Sequence, residues 1–196
     1  MAVDTFNSAY YRRYYEDAST RVAEPAYFRR LAKFIAAYAA FLEVPVKTIL
    51  DIGCGTGALA RPLQKTWPRA AFTGVERSPY ACKKFGWTEG SVVDWQDDAG
   101  FDLVVCHDVV QYLTDREAAA AIENLAGLTQ GLLFFGVLTD EDWEQNCDQR
   151  RTDGDVYKRK DAWYRKRLRQ HFRSLGGGLY AHRDADIVLF SLDCLD

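Results

Sequence analysis

The segment Asp51-Ile52-Gly53-Cys54-Gly55-Thr56-Gly57 constrains the fold of this chain more than any other. It follows directly on a β-branched run, residues 46–52 (VKTILDI). A short apolar run flowing into glycines reads as a strand buried on both faces, the habit of parallel sheets. Glycines at a strand exit permit a tight turn and let the backbone approach a ligand closely. A bare G-x-G is weak, because any structural turn can use it. Its context strengthens it: nineteen residues after Gly57, in Thr73-Gly74-Val75-Glu76, an acid closes the next expected strand. A carboxylate at that offset is placed to accept both hydroxyls of a ribose.

The elements around this loop alternate. Residues 24–43 carry apolar side chains at helical spacing with Pro25 in the first turn, so a helix is expected there, ended by Pro45. Helices are expected over 58–67, over 79–85 behind Ser78, over 115–128 behind Thr114, and over 161–172. Strands are expected over 71–75, 91–93, 101–106 and 132–138, and around an Asp184-Ala185 turn over 179–183 and 187–192. Strand–helix alternation predicts a doubly wound α/β sheet with right-handed crossovers and helices on both faces. Two strands as close as the last pair must run antiparallel. The expected sheet is therefore mostly parallel with a C-terminal antiparallel hairpin.

Composition narrows the class. The chain has 196 residues, 48% apolar and 27% charged, enough for one core and against disorder. Its longest apolar run, residues 34–42, is far short of the roughly 20 residues of a membrane span. The N-terminus, with Asp4, Asn7, Arg12 and Arg13, has no secretory signal pattern. Five scattered cysteines with no C-x-x-C pair argue against a zinc ribbon or a disulfide framework. The expectation is a reduced, cytoplasmic, single-domain protein that needs no metal. Charge is uneven: residues 150–173 hold ten basic residues against three acids, a balance of +7 in a chain of net charge −3. Such a segment attracts anions or forms a solvated face.

An adenosine cofactor is implied, and two kinds compete. Gly53, Gly55 and Ala58 formally match the dinucleotide fingerprint. Asp51 opposes it, since a carboxylate is unhelpful beside a diphosphate and welcome beside an ammonium or sulfonium. From Lys47 onward the chain resembles the class I S-adenosylmethionine-dependent methyltransferases. Thr48-Ile49-Leu50-Asp51-Ile52-Gly53-Cys54-Gly55-Thr56-Gly57 is similar to that family's first motif, and Glu76, with Arg77 beside it, to its ribose-binding acid. Asp94-Trp95 matches the position where the family binds the adenine amine and covers the ring. Cys106-His107-Asp108-Val109-Val110-Gln111-Tyr112 resembles the segment that passes beneath the methionine moiety. The resemblance implies seven strands ordered 3-2-1-4-5-7-6, with S-adenosyl-L-methionine as cofactor and S-adenosyl-L-homocysteine as product. It divides the domain into an N-terminal lid (1–44), a cofactor-binding half (45–138), a substrate-side insertion and helix (139–173) and a terminal hairpin (174–196).

Candidate residues follow. For the cofactor they are Tyr14, Asp51, Gly53, Cys54, Gly55, Gly57, Glu76, Arg77, Asp94, Trp95, Cys106, His107 and Gln111. His107, at the carboxyl end of the fourth strand, is suited to act as a base near neutral pH or to position the cofactor. The tyrosine-rich run Tyr10-Tyr11-Arg12-Arg13-Tyr14-Tyr15 is similar to lids that fold over the cofactor. For the acceptor, Tyr15, Gln111, Arg151, Tyr157, Trp163, Tyr164 and Arg165 suggest a pocket for a small anionic metabolite, because arginine forks bind carboxylates and aromatics supply a wall. An internal salt-bridge network is the alternative use of those arginines. Two other functions compete: methylation of tRNA or rRNA, with the basic insertion tracking a backbone, and a non-catalytic cofactor-binding partner subunit. The acceptor atom and the oligomeric state are not readable.

Overall fold

A computed structural model describes residues 5–195; residues 1–4 of the expected lid and residue 196 of the expected terminal hairpin lie outside the described residues. The strands are β1 (Thr48–Ile52), β2 (Ala71–Glu76), β3 (Thr88–Glu89), β4 (Phe101–His107), β5 (Thr129–Gly136), β6 (Phe172–Gly176) and β7 (Leu179–His182). The helices are α1 (Ser8–Tyr11), α2 (Pro25–Phe41), α3 (Ala60–Thr66), α4 (Pro79–Phe85), α5 (Asp115–Leu128), α6 (Asp140–Gln145) and α7 (Asp161–His171). The seven strands form one sheet in the order β3-β2-β1-β4-β5-β7-β6. Strands β3 to β5 pair in parallel, and β7 pairs antiparallel with both β5 and β6.

Successive side chains of a strand point to opposite faces, and each central strand feeds two cores. Leu50, Val104, Cys106, Leu133 and Phe135 pack beneath α5 and α7 with Ile122, Leu125 and Leu168. Ile49, Leu103, Val105, Leu132 and Phe134 pack against α2 and α3 through Ala32, Ile35, Ala39 and Leu63. The stripe Phe28, Ala32, Ile35 and Ala39 is buried along α2 at spacings of four, three and four. Glu43 ends that helix at φ 56°, the left-handed conformation that lets Val44 N–H reach the carbonyl of Ala39 at 2.9 Å. Helix α5 opens on a reciprocal cap: Glu117 Oε2 accepts from Thr114 N–H at 2.9 Å, and Thr114 Oγ1 accepts from Glu117 N–H.

Two expectations are corrected. The third strand lies at Thr88–Glu89, starting two residues after the left-handed Gly86 that caps α4. Residues 91–95 instead turn back, with Trp95 N–H donating to the Ser91 carbonyl at 2.8 Å. The terminal hairpin pairs β6 with β7 rather than 179–183 with 187–192. Gly176, Gly177 and Gly178 all have positive φ and make its tight turn, joining two strands. Residues 187–192 form no strand: Ile187 and Leu189 pack on the α2 side while Val188 and Phe190 face solvent.

Among the described residues no helix is long and apolar enough to cross a membrane. The carboxyl ends of β1, β2 and β4 open towards α1 and the insertion after β5, where the site lies.

Candidate functional site

The glycine loop leaves β1 and is held to β2. Gly53 and Cys54 N–H groups donate to the Val75 carbonyl at 2.7 and 3.1 Å, and Gly55 N–H donates to Glu76 Oε2 at 2.7 Å. Gly53 has φ 89°, and a Cβ there would lie 2.1 Å from Val109 Cγ2, so only glycine fits. Glu76, buried at the tip of β2, also accepts from Ser78 N–H at 2.8 Å through Oε1. Each carboxylate oxygen keeps a further lone pair. Gly53, Gly55, Glu76 and Arg77 line a cleft closed on its other side by Gly90, Ser91 and Val92. These residues fit an adenosine: a side-chain-free loop faces an acid at the floor, and the wall beyond β3 is small.

The remaining free space in this cleft is about 70 Å³, because Phe6, Tyr10 and Tyr11 lie in it. Tyr11 is buried, stacks on Tyr80 at 5.9 Å, and its ring is 3.5 Å from where a Cβ of Gly55 would sit. Burial, and then Glu76, push the Tyr11 phenol well up. After α1 the chain makes a π-helical turn, Arg12–Glu16, a rare winding frequent at functional sites.

Other cofactor candidates sit differently. Asp51 lies behind the loop, outside the cleft lining, and burial, then Glu76, push its carboxyl up to about 7. Cys54 is buried with Sγ 2.9 Å from the Asp51 carbonyl, and Cys106 is fully buried in the core beneath α5. Burial pushes both thiols up. Gly57, at φ 75°, faces Trp87 rather than the cleft. Asp94 and Trp95 also lie outside the lining; Asp94 is exposed and Trp95 packs on Phe101 and Gly90. Because β3 ends at Glu89, the residues that follow it are Gly90 to Val92, and these take the place expected of 94 and 95.

A second, larger cavity of about 510 Å³ opens beside the first. Tyr10, Tyr15, His107, Asp108 and Tyr112 line both. His107 stacks on Phe134 at 5.8 Å, and its Nδ1 is 3.3 Å from Asp108 Oδ2. Asp108 holds φ 57°, a conformation uncommon for residues with a Cβ and concentrated at functional sites. Gln111, only 4% exposed, donates from Nε2 to Asp108 Oδ1 at 3.4 Å, a long bond, while its Oε1 has no hydrogen-bond partner among the described residues. Tyr14 and Tyr15 reach this cavity from the π-helical turn, and burial raises both phenols.

Sequence reasoning had Tyr112 only as part of the segment after the fourth strand and missed Tyr27 and the acids Asp142, Asp148 and Asp153; these complete the wall. Tyr112 bridges two segments, its hydroxyl 2.8 Å from Tyr10 Oη and 3.3 Å from Asp153 Oδ2.

The expected acceptor residues of the insertion are placed elsewhere. Arg151 is exposed, 3.8 Å from Asp148 Oδ2, and Tyr157 is exposed with its N–H on the Gln111 carbonyl at 2.8 Å. Trp163 is covered by Arg167, whose Cζ lies 3.5 Å above the ring. Tyr164 is buried and accepts from Arg159 Nη1 at 3.1 Å. Arg165 pairs with Asp161 at 2.9 Å and, with Tyr164, lines a neighbouring cavity of about 440 Å³. Arg159 turns inward to Asp115 Oδ1 at 2.7 Å and to the carbonyls of Val110 and Leu113. Several of the insertion's cations are thus used within the protein, and none lines the 510 Å³ cavity.

Comparison with known proteins places this geometry. Residues 50–130 match a family model described as a methyltransferase domain. Trans-aconitate 2-methyltransferase of Escherichia coli is 28% identical over 105 residues, 50% of this chain and 41% of that protein. Malonyl-[acyl-carrier protein] O-methyltransferase of Magnetococcus marinus is 33% identical over 117 residues, 52% of this chain and 43% of that protein. The chain spans about two fifths of the length of these curated relatives. An S-adenosylmethionine-dependent methyltransferase from Clostridium acetobutylicum superposes with a TM-score of 0.63 at 16% identity, covering 88% of this chain and 89% of that one. The magnesium protoporphyrin IX methyltransferase of Synechocystis, with bound S-adenosylhomocysteine, gives 0.60 at 21% identity, covering 91% and 94%. At such identities the superpositions establish the fold.

Proposed function

We propose, from the match of residues 50–130 to a methyltransferase-domain model and from the class I fold, that the protein transfers a methyl group from S-adenosylmethionine to a small-molecule acceptor. The observation that carries this reading is the junction of the two cavities: the narrow cleft with an acid at its floor, partly filled by Phe6, Tyr10 and Tyr11, meets the larger one at His107, Asp108, Tyr10, Tyr15 and Tyr112.

The cofactor, when bound, supplies an electrophilic methyl group on a sulfonium. Glu76 accepts the ribose hydroxyls, and the glycine loop lets the backbone approach the adenosine. Tyr10, Tyr15 and Tyr112 exclude water from the junction, and alignment of nucleophile and methyl there supplies several kcal/mol of the barrier. His107 or Asp108, facing both cavities, receives the proton when the acceptor carries one.

An anionic acceptor, expected from the basic insertion, keeps indirect support from the two relatives named for trans-aconitate and malonyl-acyl-carrier protein. Within this chain its arginines lie outside the junction cavity, so that reading rests on the relatives alone.

The test uses a methyl-deuterated cofactor and a host extract split into small-molecule, RNA and protein pools, read by mass spectrometry. Label in the small-molecule pool is expected, with micromolar binding of S-adenosylhomocysteine by calorimetry. Label in RNA makes the insertion a backbone-binding surface instead. Tight cofactor binding with no label in any pool indicates a non-catalytic partner subunit.

A further inference from the structure

The charge of the acceptor cavity is opposite to the charge of the insertion that forms part of its wall. Asp108, Asp142, Asp148 and Asp153 line it, and among the described residues lining it there is no lysine or arginine. Two of these acids are already well occupied. Asp142 accepts from Thr139 and Asn146 side chains at 2.7 and 2.8 Å, which helps hold its carboxyl below the usual range against the effect of burial. Asp148 accepts from Arg150 N–H at 3.0 Å and faces the exposed Arg151. Asp153 Oδ1 accepts from Asp155 N–H at 3.0 Å, and its Oδ2 has the Tyr112 hydroxyl at 3.3 Å; Asp108 has only long side-chain partners, 3.4 Å to Gln111 and 3.3 Å to His107.

Gln111 gives the second, independent sign. Its side chain is buried at the cavity wall and its Oε1 lacks a donor. Turning the amide over would set that oxygen against the Asp108 carboxylate, two acceptors face to face, so the orientation with Nε2 towards Asp108 is the stable one. A buried acceptor without a donor is costly, and a ligand carrying N–H groups relieves it. The remaining wall mixes aliphatic and glycine positions with the aromatic Tyr14, Tyr15 and Tyr27, rings that attract cations to their faces.

We propose that the acceptor is an amine carried on an apolar or ring-shaped body, bound as its ammonium between Asp108, Asp153 and Gln111 Oε1 and methylated on nitrogen. This rests on the methyltransferase reading above and sets its substrate class. The balance closes within that reaction. Asp108 takes one proton from the bound ammonium, and the freed nitrogen lone pair forms the N–C bond. The methyl group leaves sulfur as the S–C pair stays there, giving a thioether and a methylated ammonium. Asp108 then returns its proton to solvent.

The experiment separates the two readings. The full chain is incubated with methyl-deuterated S-adenosylmethionine and a small-molecule extract fractionated by cation and anion exchange, while S-adenosylhomocysteine binding is followed by calorimetry. Label is expected in the cation-exchange-retained fraction, on nitrogen by fragmentation. With a labelled amine from that fraction, Asp153→Asn lowers kcat/KM at least about tenfold, and Asp108→Asn, which keeps a side chain tolerant of positive φ, lowers kcat further. Asp153→Asn keeps S-adenosylhomocysteine affinity within about twofold, and both variants keep a cooperative thermal transition, which shows that they fold. Label confined to anionic or neutral compounds overturns the amine acceptor and leaves the methyltransferase intact. Cofactor binding with no label in any fraction also overturns it. Failure to bind S-adenosylhomocysteine overturns the methyltransferase reading itself.

Discussion

The two halves of the site are built on different principles. The nucleoside half comes from consecutive residues at strand tips, is fixed by backbone hydrogen bonds from Gly53, Cys54 and Gly55 to Val75 and Glu76, and retains about 70 Å³ of free space with the protein's own tyrosines in place. The acceptor half is assembled from the N-terminal strap, the turn after β4, the end of β5, the insertion and the β6–β7 turn, and encloses about 510 Å³. Backbone geometry dominates the first, and side-chain chemistry the second. Substitutions in the glycine loop should therefore act on folding and cofactor binding together, whereas those in the acceptor half should act on turnover.

The largest effect expected lies under the loop. Asp51 ionises near 3.9 in an unfolded chain and at about 7 when folded. Between those values the native state holds the extra proton, so stability contributed by this group is full below pH 4 and is lost as pH rises through 7. The shift corresponds to about 4 kcal/mol. Asp51→Asn should flatten that slope in denaturant unfolding measured from pH 4 to 8; an unchanged slope would mean that the loop's burial of Asp51 carries no cost.

Next comes Gly53→Ala, which combines a positive φ with the contact to Val109 and should cost about 3 kcal/mol in thermal unfolding. Calorimetry should show a parallel loss of S-adenosylhomocysteine affinity, and retained affinity would remove the loop from the cofactor site. Glu76→Gln leaves one acceptor oxygen for two N–H donors, Gly55 and Ser78, and loses the charge, so affinity should fall by about 10–100-fold and Tm should drop by several degrees. Smallest of all, Arg165→Ala removes an exposed pair with Asp161 and should alter stability by less than about 0.5 kcal/mol and kcat/KM by less than about twofold. A large loss of turnover there would return the acceptor to the basic insertion and break the distinction between the halves.

The same distinction explains what the sequence made legible. The glycine loop, Glu76 and the Thr114–Glu117 cap are short-range patterns whose chemistry is local, and the strand order anticipated from the resemblance is the order found. The third strand was misplaced because its two residues carry no periodicity of their own. Residues 187–192 do alternate, yet that alternation serves packing against the α2 side without a ladder. The insertion misled most. In a segment with little regular structure between α6 and α7, net charge does not say which side chains face inward. There Asp148 and Asp153 turn to the cavity, while Arg159 turns to Asp115 and the backbone and Arg151 to solvent. The acceptor half is a product of long-range folding, and a linear reading sees only its parts.

The strand order carries a consequence for synthesis. Strand β7 lies between β5 and β6, yet the chain reaches it after both. During translation, at roughly 5–20 residues per second, β5 emerges with its Leu132–Phe135 stretch and no neighbour on that side. Its vacant edge must stay unpaired while α6, the insertion and α7 are made, and β6 cannot fill it without blocking its own partner. Strand β7 must therefore reach β5 before β6 on its far side or together with it, and the three positive-φ glycines of the turn let the β6–β7 hairpin close tightly enough to dock as a unit. A ribosome-bound chain stalled before residue 179 presents an apolar strand edge of the kind that holdase chaperones bind and that aggregates recruit.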